Sequence, residues 1–173
     1  MTEIDGTDAA LVRAAADGSE HAFRALYRAY VRPVYWIAHG LVGNAADAED
    51  VTQETFLAAW RKAGSWRGEG SYEGWLLRIA WRLFLSRRRV RREEPVETPD
   101  FGEAQRTDHE VRIDVERALA ALPARERAAA LLCLGEGYSH GEAAAILELP
   151  LGTLKSIVAR AREALARALE GRG

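Results

Sequence analysis

The 173-residue chain holds a single cysteine, Cys133, one methionine and five prolines. One cysteine excludes an intramolecular disulfide and any cysteine-rich zinc site. Long hydrophobic runs are missing as well: the longest clear one, Ala128–Leu134, is far too short to cross a bilayer, so no membrane insertion is expected. The start, MTEIDGTD, is acidic and lacks the basic-then-apolar pattern of a secretory leader, which points to the cytoplasm. His21, His39, His109 and His140 are scattered without zinc-ligand spacing, and no glycine-rich phosphate loop or nucleophile motif is present. No catalytic group, metal or cofactor is therefore expected, and the chain does not read as an enzyme. What is there is globular: 48% hydrophobic and 29% charged residues exclude a wholly disordered chain.

The formal charge of −2 conceals a strong segregation. Ten basic residues lie between Arg61 and Arg92, opposed only by Glu69 and Glu73, so that stretch carries +8. Between Glu93 and Glu116 the balance reverses to −7. Local field governs encounter with a polyanion, so near-neutrality overall does not argue against one. On charge alone, a solvated helix face followed by an acidic linker is the simpler account.

Apolar spacing predicts helices throughout, an all-α chain of two small domains. Ala9–Ala16 is short and stops at Asp17-Gly18. Ser19 offers an N-cap for a long helix whose Phe23, Leu26, Tyr30, Val34, Ile37 and Leu41 share one face, with Pro33 expected to bend or divide it. Ala46–Ala63 and Gly74–Val90 follow, separated by the glycine-rich loop Gly64–Ser71. Residues 1–92 thus form a first domain, 93–110 an acidic flexible linker rich in Pro and Glu, and 111–173 a second domain. In the second, Thr107 and Glu110 have capping-box spacing, and Val111, Val115, Leu119 and Leu122 form a stripe. Ala124–Leu134 is the next helix. Ser139 and Glu142 open a short one that runs to Glu148, and Thr153–Leu169 is the last.

Three segments carry chemistry. A short helix, a turn at Leu149–Gly152 and a longer helix make a helix-turn-helix, whose second helix enters a major groove by its N-terminal part. Leu151, Gly152, Thr153, Lys155, Ser156 and Arg160 are the positions expected near DNA; an ordinary αα-hairpin with a basic face has the same pattern. Four of the five tryptophans (Trp60, Trp66, Trp75, Trp81) lie in or beside the basic stretch, a mixture suited to opened or single-stranded DNA, or to a domain core. In DAEDVTQETFLAAW, Glu49, Gln53, Phe56 and Trp60 share a helical face flanked by Asp50 and Glu54. Aromatics ringed by carboxylates look like a docking surface, and equally they suit burial under the preceding helix.

With DAEDVTQETFLAAW, GWLLRIAWRLFLSRRR, ALAALPARER and YSHGEAAAILELPLGTLKSIVARAR in this order, the chain resembles the extracytoplasmic-function class of bacterial sigma factors. The resemblance covers roughly Leu11–Arg92 and Ile113–Leu169. It implies a first domain (region 2) that binds the β′ coiled coil of core RNA polymerase and opens the −10 element. It implies a second (region 4) that binds the β flap and reads the −35 element of promoter DNA. Carried over by resemblance, Asp50, Gln53, Glu54, Phe56 and Trp60 contact polymerase. Arg67, Tyr72, Arg78, Trp81, Arg82, Arg87 and Arg88 lie at the −10 strand. An anti-sigma factor is an expected partner. The chain departs from the family pattern at Arg82, where Asn is common, at Ser86, where Asp is, and at Ile157 and Ala159 in the last helix.

The competing reading is a stand-alone helix-turn-helix regulator of duplex DNA, which leaves the Asp47–Trp60 face and the Arg67–Ser71 loop without a role. The acidic linker has the charge to compete with DNA for the basic helix.

Overall fold

Ser19 opens the longest helix by accepting a hydrogen bond from the Ala22 N–H at 3.2 Å. Gly43, in the left-handed region at φ 82°, closes it with its own N–H on the His39 carbonyl. The computed structural model describes residues 6–91 and 109–170; residues 93–108 of the expected linker, with Thr107 of the first capping box, lie outside them, and its last two residues, His109 and Glu110, belong to a helix. In the first half, α1 (Gly6–Ala16), α2 (Glu20–Val42), α3 (Ala45–Arg61), a 3-10 turn at Ala63–Ser65 and α4 (Tyr72–Arg91) follow one another. Pro33 does not divide α2, which is one helix across it. The carbonyl left without an N–H partner belongs to exposed Ala29, where solvent can satisfy it. Asn44 caps α3 by accepting the Asp47 N–H at 2.9 Å.

The core of this half is the predicted stripe of α2 (Leu26, Tyr30, Val34, Ile37, Leu41) against Val51, Thr55 and Phe56 of α3 and Leu76, Leu77, Ala80 and Phe84 of α4. Two threonines sit inside it because each hydroxyl donates to the carbonyl one turn back, Thr52 to Ala48 and Thr55 to Val51, both at 2.7 Å. Phe23, only half-buried, meets the rings of Phe56 and Trp60 edge-on.

The second half is α5 (His109–Ala121), α6 (Ala124–Ala130), α7 (His140–Leu147) and α8 (Leu151–Glu170). The helix expected over Ala124–Leu134 widens into a π-helical turn at Leu131–Gly135. The Ser139–Glu142 capping box forms as the spacing predicts. Leu154, Ile157, Val158 and Ala161 are the buried stripe of α8, and Leu169, near the helix end, is exposed.

The buried residues of the two halves run together: α7 packs on α4 and α6 on α2. Arg127 of α6 binds this junction. Its guanidinium donates to the carbonyls of Leu119, Ala120 and Leu122 at the end of α5, and to that of Leu41 on α2 at 2.8 Å. Those carbonyls lie at two helix C-termini, so one cation caps both, sharing the Leu119 oxygen with the Leu122 N–H at 3.1 Å. Beside it, the side chain of Leu131 fills the space over Gly40, where an added Cβ would lie 2.7 Å from both Leu131 methyls.

Candidate polymerase and DNA interfaces

On α3, the surface expected to dock a protein is turned by about one residue. Asp50, Gln53 and Glu54 are exposed, but Phe56 is 3% exposed and Trp60 half-buried. The cause is α2: Phe23 covers both rings, and Tyr27 meets Phe56 edge-on at 4.8 Å between centroids. The apolar residue this face presents is Leu57, 54% exposed and one helical turn beyond Gln53. Sequence reasoning missed it; the i, i+4 step from Gln53 was the available signal.

The basic side chains of α4 are partly engaged with α3. Arg87 reaches Glu54 at 2.6 Å and Asp50 at 4.0 Å, and Arg91 straddles both carboxylate oxygens of Asp47 at 2.9 Å. The Asn44 amide, with Arg91 behind it, holds the Asp47 carboxyl below the usual carboxylate range. Arg88 lies over the Phe84 ring, 5.7 Å from its centroid.

Of the aromatics placed by resemblance at the −10 strand, Tyr72 and Trp81 are each 3% exposed. Tyr72 is enclosed by the rings of Tyr30, Trp66 and Trp75, and burial pushes its hydroxyl pKa up. Trp81 stacks on Phe84. The loop before α4 is turned by Gly68 and Gly70, both at φ 74°, and leaves Arg67 exposed. An L side chain at either glycine would be strained, which is why the Arg-Gly-Glu-Gly sequence suits a projecting turn.

Arg82 is exposed but occupied. Its Nε donates to Glu148 Oε2 at 2.9 Å and its Nη2 to the other oxygen, a bidentate pair between α4 and the α7–α8 turn. Arg82, with the field of Arg78 added, holds the Glu148 carboxyl below its ordinary range. Tyr138 completes this side by donating its hydroxyl to Glu73.

In the second half, α7 ends at Glu148 in the left-handed conformation and α8 starts at Leu151, the tight connection of a helix-turn-helix. Leu151, Gly152, Thr153, Lys155, Ser156 and Arg160 are all exposed, on the side opposite the buried stripe. The Ser156 hydroxyl donates back to the Gly152 carbonyl at 3.1 Å, and Arg160 pairs with Glu126 of α6 at 3.0 Å. Among the described residues no cluster of acidic, histidine and cysteine side chains suits a metal ion, and no helix is long and apolar enough to cross a membrane.

A helix-turn-helix with a polar leading face, joined to a bundle carrying one acidic face and one basic helix, is the form of a two-part helical protein of the DNA-binding class. Residues 26–94 match the family model for sigma-70 region 2, and residues 112–165 that for sigma-70 region 4. The chain belongs to the sigma-70 family of RNA polymerase sigma factors, in its extracytoplasmic-function class. It is 37% identical to ECF RNA polymerase sigma factor SigM of Mycobacterium tuberculosis, over 94% of this chain and 85% of that protein. It is 40% identical to ECF RNA polymerase sigma factor SigE of Mycolicibacterium smegmatis over 81% of this chain, and spans 58% of that longer relative. Among solved structures, the sigma factor RpoE in complex with the anti-sigma factor NepR, from Bartonella quintana, superimposes with a TM-score of 0.76 at 30% identity. That match covers 87% of this chain and 98% of RpoE. CnrH, in complex with the cytosolic domain of CnrY, gives 0.76 at 25% identity over 96% of this chain and 99% of CnrH.

Proposed function

We propose that the chain acts in the cytoplasm as a promoter-specificity subunit whose two halves, joined through residues 93–110, divide the work. The α3 face of Asp50, Gln53, Glu54 and Leu57 docks on the β′ coiled coil, and the second half docks on the β flap. The basic edge of α4, with Arg67, Arg78, Arg82, Arg87 and Arg88, binds the opened −10 strand. Flipping a base out of the stack costs a few kcal/mol, roughly, which the arginine–phosphate contacts and ring stacking must offset. Trp81 and Tyr72, each 3% exposed, join those contacts only if the rings packed on them move aside. The leading face of α8 reads the −35 duplex: Lys155 and Arg160 meet phosphate, while Thr153 and Ser156 lie near base edges.

The observation that carries this reading is the sorting of α8. Thr153, Lys155 and Ser156 are exposed at its N-terminal end, while Leu154, Ile157 and Val158 are buried against the rest of the domain. An anti-sigma factor is a further partner, supported by the similarity to RpoE, which was solved with one bound.

Titration of core RNA polymerase with the purified chain tests the assignment, using Gln53→Ala/Glu54→Ala as the control. Both residues are exposed, so their loss leaves the fold intact. Binding that the double substitution weakens at least tenfold, about 1.4 kcal/mol, supports the reading. A folded chain that does not bind core polymerase overturns it.

A further inference from the structure

The outer side of α2 carries a row of cations with no role so far. The buried stripe of Leu26, Tyr30, Val34, Ile37 and Leu41 faces the bundle. Arg24, Arg28 and Arg32 stand on the opposite side, and all three are exposed. Their i, i+4, i+8 spacing sets them in one line, about 6 Å apart along the axis. Glu20, in the first turn, is the helix's single carboxylate. Among the described residues none of the three arginines makes an ion pair or a side-chain hydrogen bond. The arginines Arg82, Arg87 and Arg91 of α4 differ, since each meets a carboxylate. Like charges one turn apart weaken a helix, so an unneutralised row of three serves the fold poorly and suits an anionic ligand.

At the C-terminal end of the row the chemistry changes from charge to ring. Trp36 lies one turn beyond Arg32 and is 48% exposed, more than any other large aromatic among the described residues. It is the tryptophan outside the basic stretch, and the core takes in Ile37 and Ala38 beside it while leaving the indole out. Tyr35 and His39 continue the face, their rings 6.0 Å apart. A row of guanidiniums attracts the phosphates of any nucleic acid. An exposed ring beside them adds a contact only where a base is unpaired and free to stack. The indole therefore decides between a duplex and a single strand.

We infer that the outer face of α2 is a further track for single-stranded nucleic acid: Arg24, Arg28 and Arg32 take phosphates, and Trp36 stacks on a base at the end of the row. The track lies on a different helix from the basic edge of α4, and the inference does not depend on the assignment of that edge. A strand on α2 meets cations that no carboxylate holds. A strand on α4 must first compete with Glu54 for Arg87 and with Asp47 for Arg91. RNA and an opened DNA strand offer the same phosphates and the same stacking faces, so this chemistry is common to both sources.

Fluorescence anisotropy with labelled oligothymidylate and oligouridylate, each roughly ten nucleotides long, reads binding to the full chain. Two backgrounds are used, the parent and Arg67→Gln/Arg88→Gln, which weakens the α4 edge. Each receives either Arg24→Gln/Arg28→Gln/Arg32→Gln or Trp36→Ala. All of these residues are exposed, and circular dichroism reports that the variants are folded. The triple substitution is expected to weaken binding about tenfold or more and to reduce the slope of log K against log salt by roughly 2, about 0.7 for each phosphate contact. Trp36→Ala is expected to weaken binding about fivefold or more with the salt slope unchanged, a split that a merely structural role does not produce. Tighter binding of oligouridylate names RNA as the source and tighter binding of oligothymidylate an opened DNA strand; either supports the inference. A triple variant that binds both oligomers as tightly as the Arg67→Gln/Arg88→Gln chain overturns it and leaves the face to an acidic protein. Trp36→Ala binding as tightly as its parent overturns it too, because phosphate contacts alone do not select a single strand.

Discussion

Arg87 lies 2.6 Å from Glu54, so a side chain assigned to DNA is tied to one assigned to polymerase. The carboxylates of α3 draw the arginines of α4 down against the bundle. On the proposed assignment, docking of α3 on a protein surface would change the charge that Arg87 and Arg91 see and couple the two surfaces through this helix-to-helix seam.

That seam is cheap to break. Glu54→Ala or Arg87→Ala is expected to lower unfolding free energy by less than about 1 kcal/mol, because the pair is partly solvated. Urea denaturation checks this. Forked-DNA binding should fall with Arg87→Ala, and polymerase binding with Glu54→Ala.

Core positions behave differently. Leu132 is 1% exposed, and Leu132→Ala is expected to cost about 2–5 kcal/mol through lost burial and the cavity left behind. The same denaturation assay reads it. By contrast Trp66→Phe should be nearly neutral, within about 1 kcal/mol, because the Trp66 indole N–H is buried with no partner among the described residues and its removal relieves that group.

The α7 cap carries a pH dependence. Ser139 holds the Glu142 carboxyl below its ordinary 4.5 through side-chain and backbone hydrogen bonds. A carboxyl depressed in the folded state adds stability above its unfolded pKa and loses it as pH falls through the folded one. Glu142→Ala should therefore be less stable than the parent at pH 7, with the gap closing as pH drops below 4.5. Ser139→Ala should cost about 1 kcal/mol at neutral pH. A gap that persists at low pH counts against the cap.

Lys155 makes no ion pair among the described residues, so its charge is available to phosphate. Lys155→Ala is expected to weaken duplex binding evenly across sequences and to reduce the slope of log K against log salt by roughly 0.9. Arg160→Ala should act less strongly, since Glu126 already neutralises part of its charge at 3.0 Å. Salt titrations of binding separate the two.

The helices and much of the core were legible because a single strong period marks them. Leu26, Tyr30, Val34, Ile37 and Leu41 lie inside as their spacing requires, and the Ser139–Glu142 box depends only on neighbours three residues apart. The α3 face was harder. Its sequence offers two adjacent apolar faces, and rings from α2, not anything within α3, decide that Phe56 goes in and Leu57 stays out. The joint between the halves was not legible at all. Arg127 and Leu41 are 86 residues apart, and neither a missing side chain at Gly40 nor a π-turn at Leu131 announces its complement. The tryptophans were legible only as a choice between DNA and core: Trp81 sits among basic residues in sequence and faces inward in space, as the core reading has it.

The Arg127 clasp has a mechanical consequence. Its four bonds all go to carbonyl oxygens, which neither titrate nor move with a side-chain rotamer, and partial burial shields them from salt. The pair of Arg82 and Glu148, by contrast, is open to both solvent and ions. Rising ionic strength is thus expected to weaken the Arg82–Glu148 contact first, while the Arg127 clasp and the shared apolar core hold the halves together.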